Sequence, residues 1–168
     1  MTGIPKEVQE LLDKQACSEL VYKMQRGLDR MDADLIRSVF HPDGVIDLGG
    51  FKGNIDEFIK WVMGVLPTMK RTHHHIGNQL IEVKGDTAHC ESYLIATHDM
   101  TKDGKDWTYV LCARYLDRFE RRNGVWKNAH RKLVSDCIAE GPSLDAAARA
   151  GSPRTWGTRD KSDPSYRS

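Results

Sequence analysis

Between Pro5 and Met31 the apolar residues Val8, Leu11, Leu12, Leu20, Met24, Leu28 and Met31 recur at near-helical spacing. That period predicts one long helix, or two short ones in line, at the start of the fold. Asp32-Ala33-Asp34 can cap a second, short helix carrying Leu35, Ile36, Val39 and Phe40, and His41-Pro42-Asp43-Gly44 reads as the turn that ends it. Val45-Ile46-Asp47-Leu48, closed by Gly49-Gly50, reads as a short strand. Asn54 with Glu57 three residues later has the form of a capping box. Ile55, Phe58, Ile59, Val62, Met63 and Leu66 then give a third helix its apolar face, until Pro67 stops it.

Beyond Pro67 the pattern changes from a helical period to alternation. Gln79-Leu80-Ile81-Glu82-Val83 ends in the turn signal Lys84-Gly85-Asp86. Three more strand-like runs follow, Thr87 to about His98, Trp107 to Phe119 and Val125 to about Ile138, punctuated by Asp103-Gly104 and Asn123-Gly124. Helices first and an antiparallel meander afterwards is the order of an α+β domain in which a curved, mainly antiparallel sheet wraps the N-terminal helices. From Glu140 the composition shifts to Gly, Pro, Ser, Arg and Asp, with one short helical possibility from Ser143 to Ala150. The expected division is a domain over residues 1–139 and a tail over 140–168. The tail is either a loose end or an arm that closes a pocket or docks on a neighbouring subunit; Trp156 and Tyr166 favour the arm.

Composition narrows the partners. The 168 residues carry 25 basic and 24 acidic side chains, and a net charge of +1 gives no field to gather nucleic acid or an anionic membrane surface. No stretch approaches the roughly 20 apolar residues that span a bilayer, and Met1 to Lys14 lacks the apolar core of a signal peptide, so a cytoplasmic protein is expected. Cys17, Cys90, Cys112 and Cys137 are widely spaced, which suits free thiols better than a zinc ribbon or a disulfide framework.

The candidate chemistry sits at Arg71-Thr72-His73-His74-His75-Ile76-Gly77-Asn78, at the head of the first long strand. Successive strand side chains point to opposite faces, so His74 faces one way and His73 and His75 the other. A metal site would use His73 and His75, but the first carboxylate after them is Glu82, and a helical first third does not suit an all-β jelly roll. No metal is therefore expected. As hydrogen-bonding groups at a subunit interface or sheet edge, His73 and His75 need no catalytic role. A general base at His74 needs a carboxylate to fix its tautomer, and Asp29, beside the apolar stripe of the first helix, is the best-placed candidate.

Leu28-Asp29-Arg30-Met31-Asp32-Ala33-Asp34-Leu35, then His74-His75-Ile76-Gly77, then His98 and Asn123-Gly124-Val125-Trp126-Lys127, resemble the SnoaL-like family of the nuclear-transport-factor-2-like fold over roughly Val8 to Ile138. Scytalone dehydratase and hexachlorocyclohexane dehydrochlorinase are nearest in pattern. The resemblance implies a cone-shaped α+β barrel, often a homotrimer. It further implies a lyase that removes water or HX from a hydrophobic cyclic small molecule, hydroxylated polycyclic, aromatic or steroid-like, without metal or cofactor. It puts Asp29 and His74 in the places of a catalytic dyad, His98 in that of a second active-site histidine, and Arg131 in that of a pocket arginine. Leu28 and Leu48 stand where scytalone dehydratase has two tyrosines, and Ala113 and Tyr115 replace its serine and asparagine contacts. Scytalone is thus not the expected substrate, and Tyr22, Tyr109 or Tyr115 would have to supply a hydroxyl. An isomerase or cyclase would use the same proton abstraction, and the fold also serves as a non-catalytic small subunit of ring-hydroxylating oxygenases.

Overall fold

A single helix, α1 (Lys6–Asp29), runs through the first apolar stripe as far as Leu28 in the computed structural model, which describes residues 4–143 and 145–166. Only its later turns are buried: Cys17, Val21, Met24 and Leu28 face the core, whereas Val8, Leu11 and Leu12 stay exposed. Its end is set by Met31, which takes a left-handed φ of 51°, while the amide of Asp32 turns back to the carbonyl of Gly27. A Cβ on Gly27 would stand 2.6 Å from Ile36, so glycine there lets α1 and α2 (Ala33–Val39) touch. Asp32 caps α2 by accepting from the amide of Leu35, and the capping box of Asn54 and Glu57 opens α3 (Ile55–Val65).

The strands are β1 (Phe40–Asp47), β2 (Lys52–Asn54), β3 (Arg71–Lys84), β4 (Thr87–Lys102), β5 (Lys105–Arg122) and β6 (Val125–Pro142). They form one mixed sheet in the order β2-β1-β6-β5-β4-β3, with β1 parallel to β6 and every other pair antiparallel. The sheet does not close on itself; β2 and β3 are its edges. Asp103-Gly104 and Asn123-Gly124 turn two of the hairpins, all four residues with positive φ, as a two-residue primed turn requires.

Three features depart from the pattern of the sequence. His41-Pro42-Asp43-Gly44 lies within β1 as an irregularity, since Phe40 pairs with Asn128 and Val45 already with His130. A turn motif is thus absorbed into the strand because the His41 ring reaches the carbonyl of Glu120 at 2.9 Å and holds the loop against the sheet. In β3 the register shifts between Ile76 and Gln79, and β6 continues past Ile138 to Pro142. The helix expected over Ser143–Ala150 is the short α4 (Asp145–Arg149); Leu144 lies outside the described residues.

The helices cover one face of the sheet. Met24, Leu28, Ile36, Val39, Phe58 and Val62 form the core among α1, α2, α3 and β1. Cys17, Val21, Cys90, Phe119 and Trp126 form a second core under the middle of α1. Leu94, Ala96, Ala113 and Tyr115 form a third on the sheet itself. The first and third cores do not fill the space between them, and that space is the cavity described below.

Candidate active site

Asp29 is the last residue of α1, so the end of the helix delivers its carboxylate to the head of β3. There it accepts three hydrogen bonds. Thr72 Oγ1 donates to Oδ1 at 2.8 Å, His74 Nδ1 donates to Oδ1 at 2.7 Å, and the His74 amide donates to Oδ2 at 3.0 Å. Thr72 and His74 share a face because they are two residues apart on a strand. Burial alone would push the Asp29 carboxyl up, but the bonds from His74 and Thr72 outweigh it and hold it below the ordinary value. The anion fixes the ring: with Nδ1–H committed to Asp29, Nε2 is the nitrogen left free to accept a proton.

His98 on β4 lies diagonally across from His74, which pairs with Ala96. The two rings are 5.3 Å apart and nearly perpendicular. Burial, with the charges of His74 and Arg159 adding to it, pushes His98 down to about 4 against the opposing pull of Asp29 and Asp99. It is therefore a neutral imidazole near pH 7, and its buried Nδ1 has no partner among the described residues.

His74 and His98 together reach the wall of a half-open cavity of about 140 Å³. One side is α3 and the turn after it, with Phe58, Trp61, Val65, Leu66 and Met69. The other is the sheet, with Leu94, Ala96, Leu111, Tyr115 and Leu133. Leu28 and Leu48 line it too, so the two positions expected to carry tyrosines in a scytalone-type site are apolar wall. Apart from the two imidazoles and the Tyr115 hydroxyl, the lining is hydrocarbon and aromatic ring, the composition of a site for a small apolar molecule.

The other residues singled out from the sequence lie at different depths. Tyr115 lines the cavity, and burial pushes its hydroxyl up to about 12, which keeps it protonated and a donor. Arg131 is fully buried below the Tyr115 ring, its Cζ 4.0 Å from the ring centre, and Nε and Nη2 each donate to Asp117 at 2.7 Å. Tyr109 stands behind His98, with ring centres 5.9 Å apart. Tyr22 is half exposed, donates to Gln79 at 3.0 Å, and lines a surface hollow on the far side of Asp29 with His73 and His75. His74, His98 and Tyr115 thus share the cavity, which Asp29 reaches only through His74, while Asp29 and His74 also border the outer hollow with Tyr22, His73 and His75. Among the described residues, no three His, Cys, Asp or Glu side chains converge as a metal ligand set, and no helix is long and apolar enough to cross a membrane.

The model of the SnoaL-like domain matches residues 9–132. The Mycobacterium tuberculosis protein Rv2910c is 30% identical over 135 residues, which cover 78% of this chain and 90% of that protein. Among solved structures, a type 2 hexachlorocyclohexane dehydrochlorinase superposes with a TM-score of 0.75 at 18% identity, over 82% of this chain and 95% of the other. A candidate scytalone dehydratase from Novosphingobium aromaticivorans gives 0.69 at 23%, over 77% and 88%. A candidate aromatic ring hydroxylase from the same organism also gives 0.69 at 23%, over 86% and 99%. At these identities the structures establish a shared α+β fold of the nuclear-transport-factor-2-like kind.

Proposed function

The chain belongs to the SnoaL-like family, and from that premise we propose that it is a cofactor-independent lyase that removes a proton and an adjacent leaving group from a small apolar ring compound. His74 Nε2 takes the proton from carbon while Asp29 holds the ring and offers a negative charge to the imidazolium that forms. The electron pair of the broken C–H bond becomes the new C=C bond, and the leaving group departs with its own pair. His98, neutral and within reach of the same space, and the Tyr115 hydroxyl are the groups available to a departing hydroxyl or halide. The observation that carries this reading is one carboxylate–imidazole pair whose imidazole opens on an otherwise apolar cavity.

Volume refines the substrate class. A cavity of about 140 Å³ is close to the roughly 150 Å³ of an apolar cavity known to take up benzene, and smaller than the range of about 300–1,000 Å³ typical of drug-sized ligands. We therefore favour a one-ring substrate over the polycyclic or steroid-like end of the expected range. A ring of that kind would lie against Tyr115, with Arg131 beneath.

The test is turnover on a panel of hydroxylated and halogenated one-ring compounds, read by loss of water or halide and by deuterium exchange at the acidic carbon. His74→Ala and Asp29→Asn should each lower turnover by about 10²–10⁴-fold, and the double variant should be little worse than the worse single one. Near-normal turnover in His74→Ala would remove the general base. The SnoaL-like family also has non-enzymatic members, so the second reading is a non-catalytic ligand-binding or subunit role. That reading is preferred if one-ring ligands bind but neither exchange nor elimination occurs.

A further inference from the structure

The outer face of the sheet, away from the helices, carries a pair of thiols that the candidate site does not use. Cys112 on β5 and Cys137 on β6 stand directly opposite one another in the antiparallel ladder. Leu111 lines the cavity and Ala113 is buried in the third core, so Cys112 between them points outward, and Cys137 opposite it points the same way. Cys137 is exposed, and the half-buried Cys112 lines a hollow with His75, Tyr93, Ile95 and Asp136. Cys17 and Cys90, by contrast, are sealed in the second core, where burial pushes their thiols up to about 12 and about 11.

Their placement suits a covalent bond. Directly opposed residues of an antiparallel pair have Cα atoms about 4.5 or about 5.5 Å apart, according to the type of pair, and a disulfide accepts a Cα separation of about 4.4–6.8 Å. A bridge therefore needs little movement of the backbone. The register slips immediately beyond the pair, where Ala113 faces Ser135 and Asp136 is the extra residue of a bulge. Asp136 turns to Arg114, which donates to it from Nε at 3.0 Å and from Nη2 at 2.9 Å, so a guanidinium meets most of its charge. The Cys112 thiol is pushed up chiefly by its hydrogen bond with Cys137, with burial and the charges of Cys137 and Asp136 adding to it. The part due to the Cys137 charge lapses once that sulfur is bonded to another.

We propose that Cys112 and Cys137 form a reversible redox-modification site, a dithiol that exchanges with a low-molecular-weight disulfide such as glutathione disulfide. The thiolate of Cys137, the more exposed of the two, attacks one sulfur of that disulfide. A protein–glutathione S–S bond forms, the glutathione S–S bond breaks, and one glutathione leaves with the electron pair and takes a proton from solvent. The Cys112 thiol then gives its proton to solvent and attacks the Cys137 sulfur, which releases the second glutathione in the same way. Two protein thiols are oxidised to one disulfide and one glutathione disulfide is reduced to two thiols, so atoms and electrons balance. The bond ties β5 to β6 beside Leu111 on the cavity wall but involves none of the groups assigned to the reaction, so it stands or falls apart from the lyase reading.

The test is full-length protein equilibrated in buffers of graded glutathione to glutathione disulfide ratio, quenched with N-ethylmaleimide and mapped by peptide mass spectrometry. The wild-type protein should pass from four free thiols to a form in which the Cys112 and Cys137 peptides are linked while Cys17 and Cys90 remain reduced. At the midpoint, the square of the glutathione concentration divided by that of the disulfide should lie well above about 1 mM, the order of effective concentration that a short flexible tether alone provides. Cys112→Ser should stop at a glutathione adduct on Cys137, and dithiothreitol should return every form to the thiol. A midpoint at or below about 1 mM overturns the pair, because the sheet then does no more than a loose tether. A wild-type protein that stops at the adduct, a disulfide between two copies through Cys137, or linkage of Cys17 or Cys90 in its place overturns it equally. The wild-type titration decides the matter even where Cys112→Ser fails to fold.

Discussion

Asp29 and Asp117 are both buried carboxylates with a nitrogen donor 2.7 Å away, yet one is bound to an imidazole and the other to a guanidinium. Asp117 holds Arg131 through two bonds and Asn128 through a third at 2.8 Å, deep in the sheet interior; Arg131 is raised by that pair even though burial opposes it, and so keeps its proton. A guanidinium so held keeps its charge and cannot act as a base. Asp29 and His74 sit beside a space a ligand can enter, and an imidazole can gain and lose a proton within the working range of pH. The chemistry of the partner, rather than burial of the carboxylate, separates an imidazole that can exchange a proton from a guanidinium that keeps its own.

The largest effect expected from that difference is on stability. Asp117→Ala leaves the Arg131 charge buried and unpaired, a loss of roughly 3–5 kcal/mol. Asp29→Asn keeps an acceptor for Thr72 and His74 and should cost about 1–3 kcal/mol. Urea denaturation of both variants checks this; equal losses would erase the distinction. On the proposed lyase reading the order reverses in turnover: any folded fraction of an Asp117 variant retains both Asp29 and His74, whereas Asp29→Asn loses the carboxylate that orients the base.

A smaller effect separates the corners by pH. His98 faces His74 and Asp29, with Asp99 and Arg159 nearby, and its folded value of about 4 lies below the unfolded value of about 6.5. The unfolded chain therefore takes up the proton first. The stability that neutral His98 contributes is complete above about pH 6.5 and is lost as pH falls toward 4, at most about 3 kcal/mol. Asp29, held below its ordinary value, adds a loss in the same direction at still lower pH. His41, also lowered, gives a parallel slope, so the measurement is the difference between wild type and His98→Gln in denaturation at pH 7 and pH 4.5. The variant should lose less stability on acidification; identical slopes would mean that His98 titrates normally.

Much of the fold was legible because its signals are local. The capping box, the Asn-Gly and Asp-Gly turns and the change of period at Pro67 each depend on a few adjacent residues. What was not legible depends on distant partners. Nothing near His41 announces that its ring reaches Glu120, and the apolar start of α1 gives no hint that Val8, Leu11 and Leu12 stay exposed. In the candidate site, strand parity alone separates His74 from its neighbours and would also have identified Thr72, two residues away on the same face. The contact of the tail with the cavity wall could not be found that way: only the folded chain sets Arg159 against the carbonyls of Leu66 and Met69. Arg131 was visible as a residue but not as a partner of Asp117, because that pairing rests on the register of β5 against β6.

The smallest expected effect tests the frame on which both corners rest. His73 is exposed and His74 is not, because β3 pairs His74 with Ala96 and turns its ring inward. A slip of one residue would exchange the faces of the whole strand, bringing His73 and His75 inward and carrying His74 away from Asp29. The register is pinned at its upper end by the three bonds that Asp29 accepts from Thr72 and His74, and beyond Ile76 by the irregularity that restores pairing at Gln79. His73→Ala should therefore change stability by no more than about 0.5 kcal/mol, the usual range for an exposed side chain without special contacts, and should leave turnover and one-ring ligand binding within about twofold of wild type. The same kinetic assay used for His74→Ala decides it. A loss in His73→Ala comparable to that in His74→Ala would mean that the strand presents the other face to the cavity, and the assignment of Asp29 and His74 as a working pair would fall with the register.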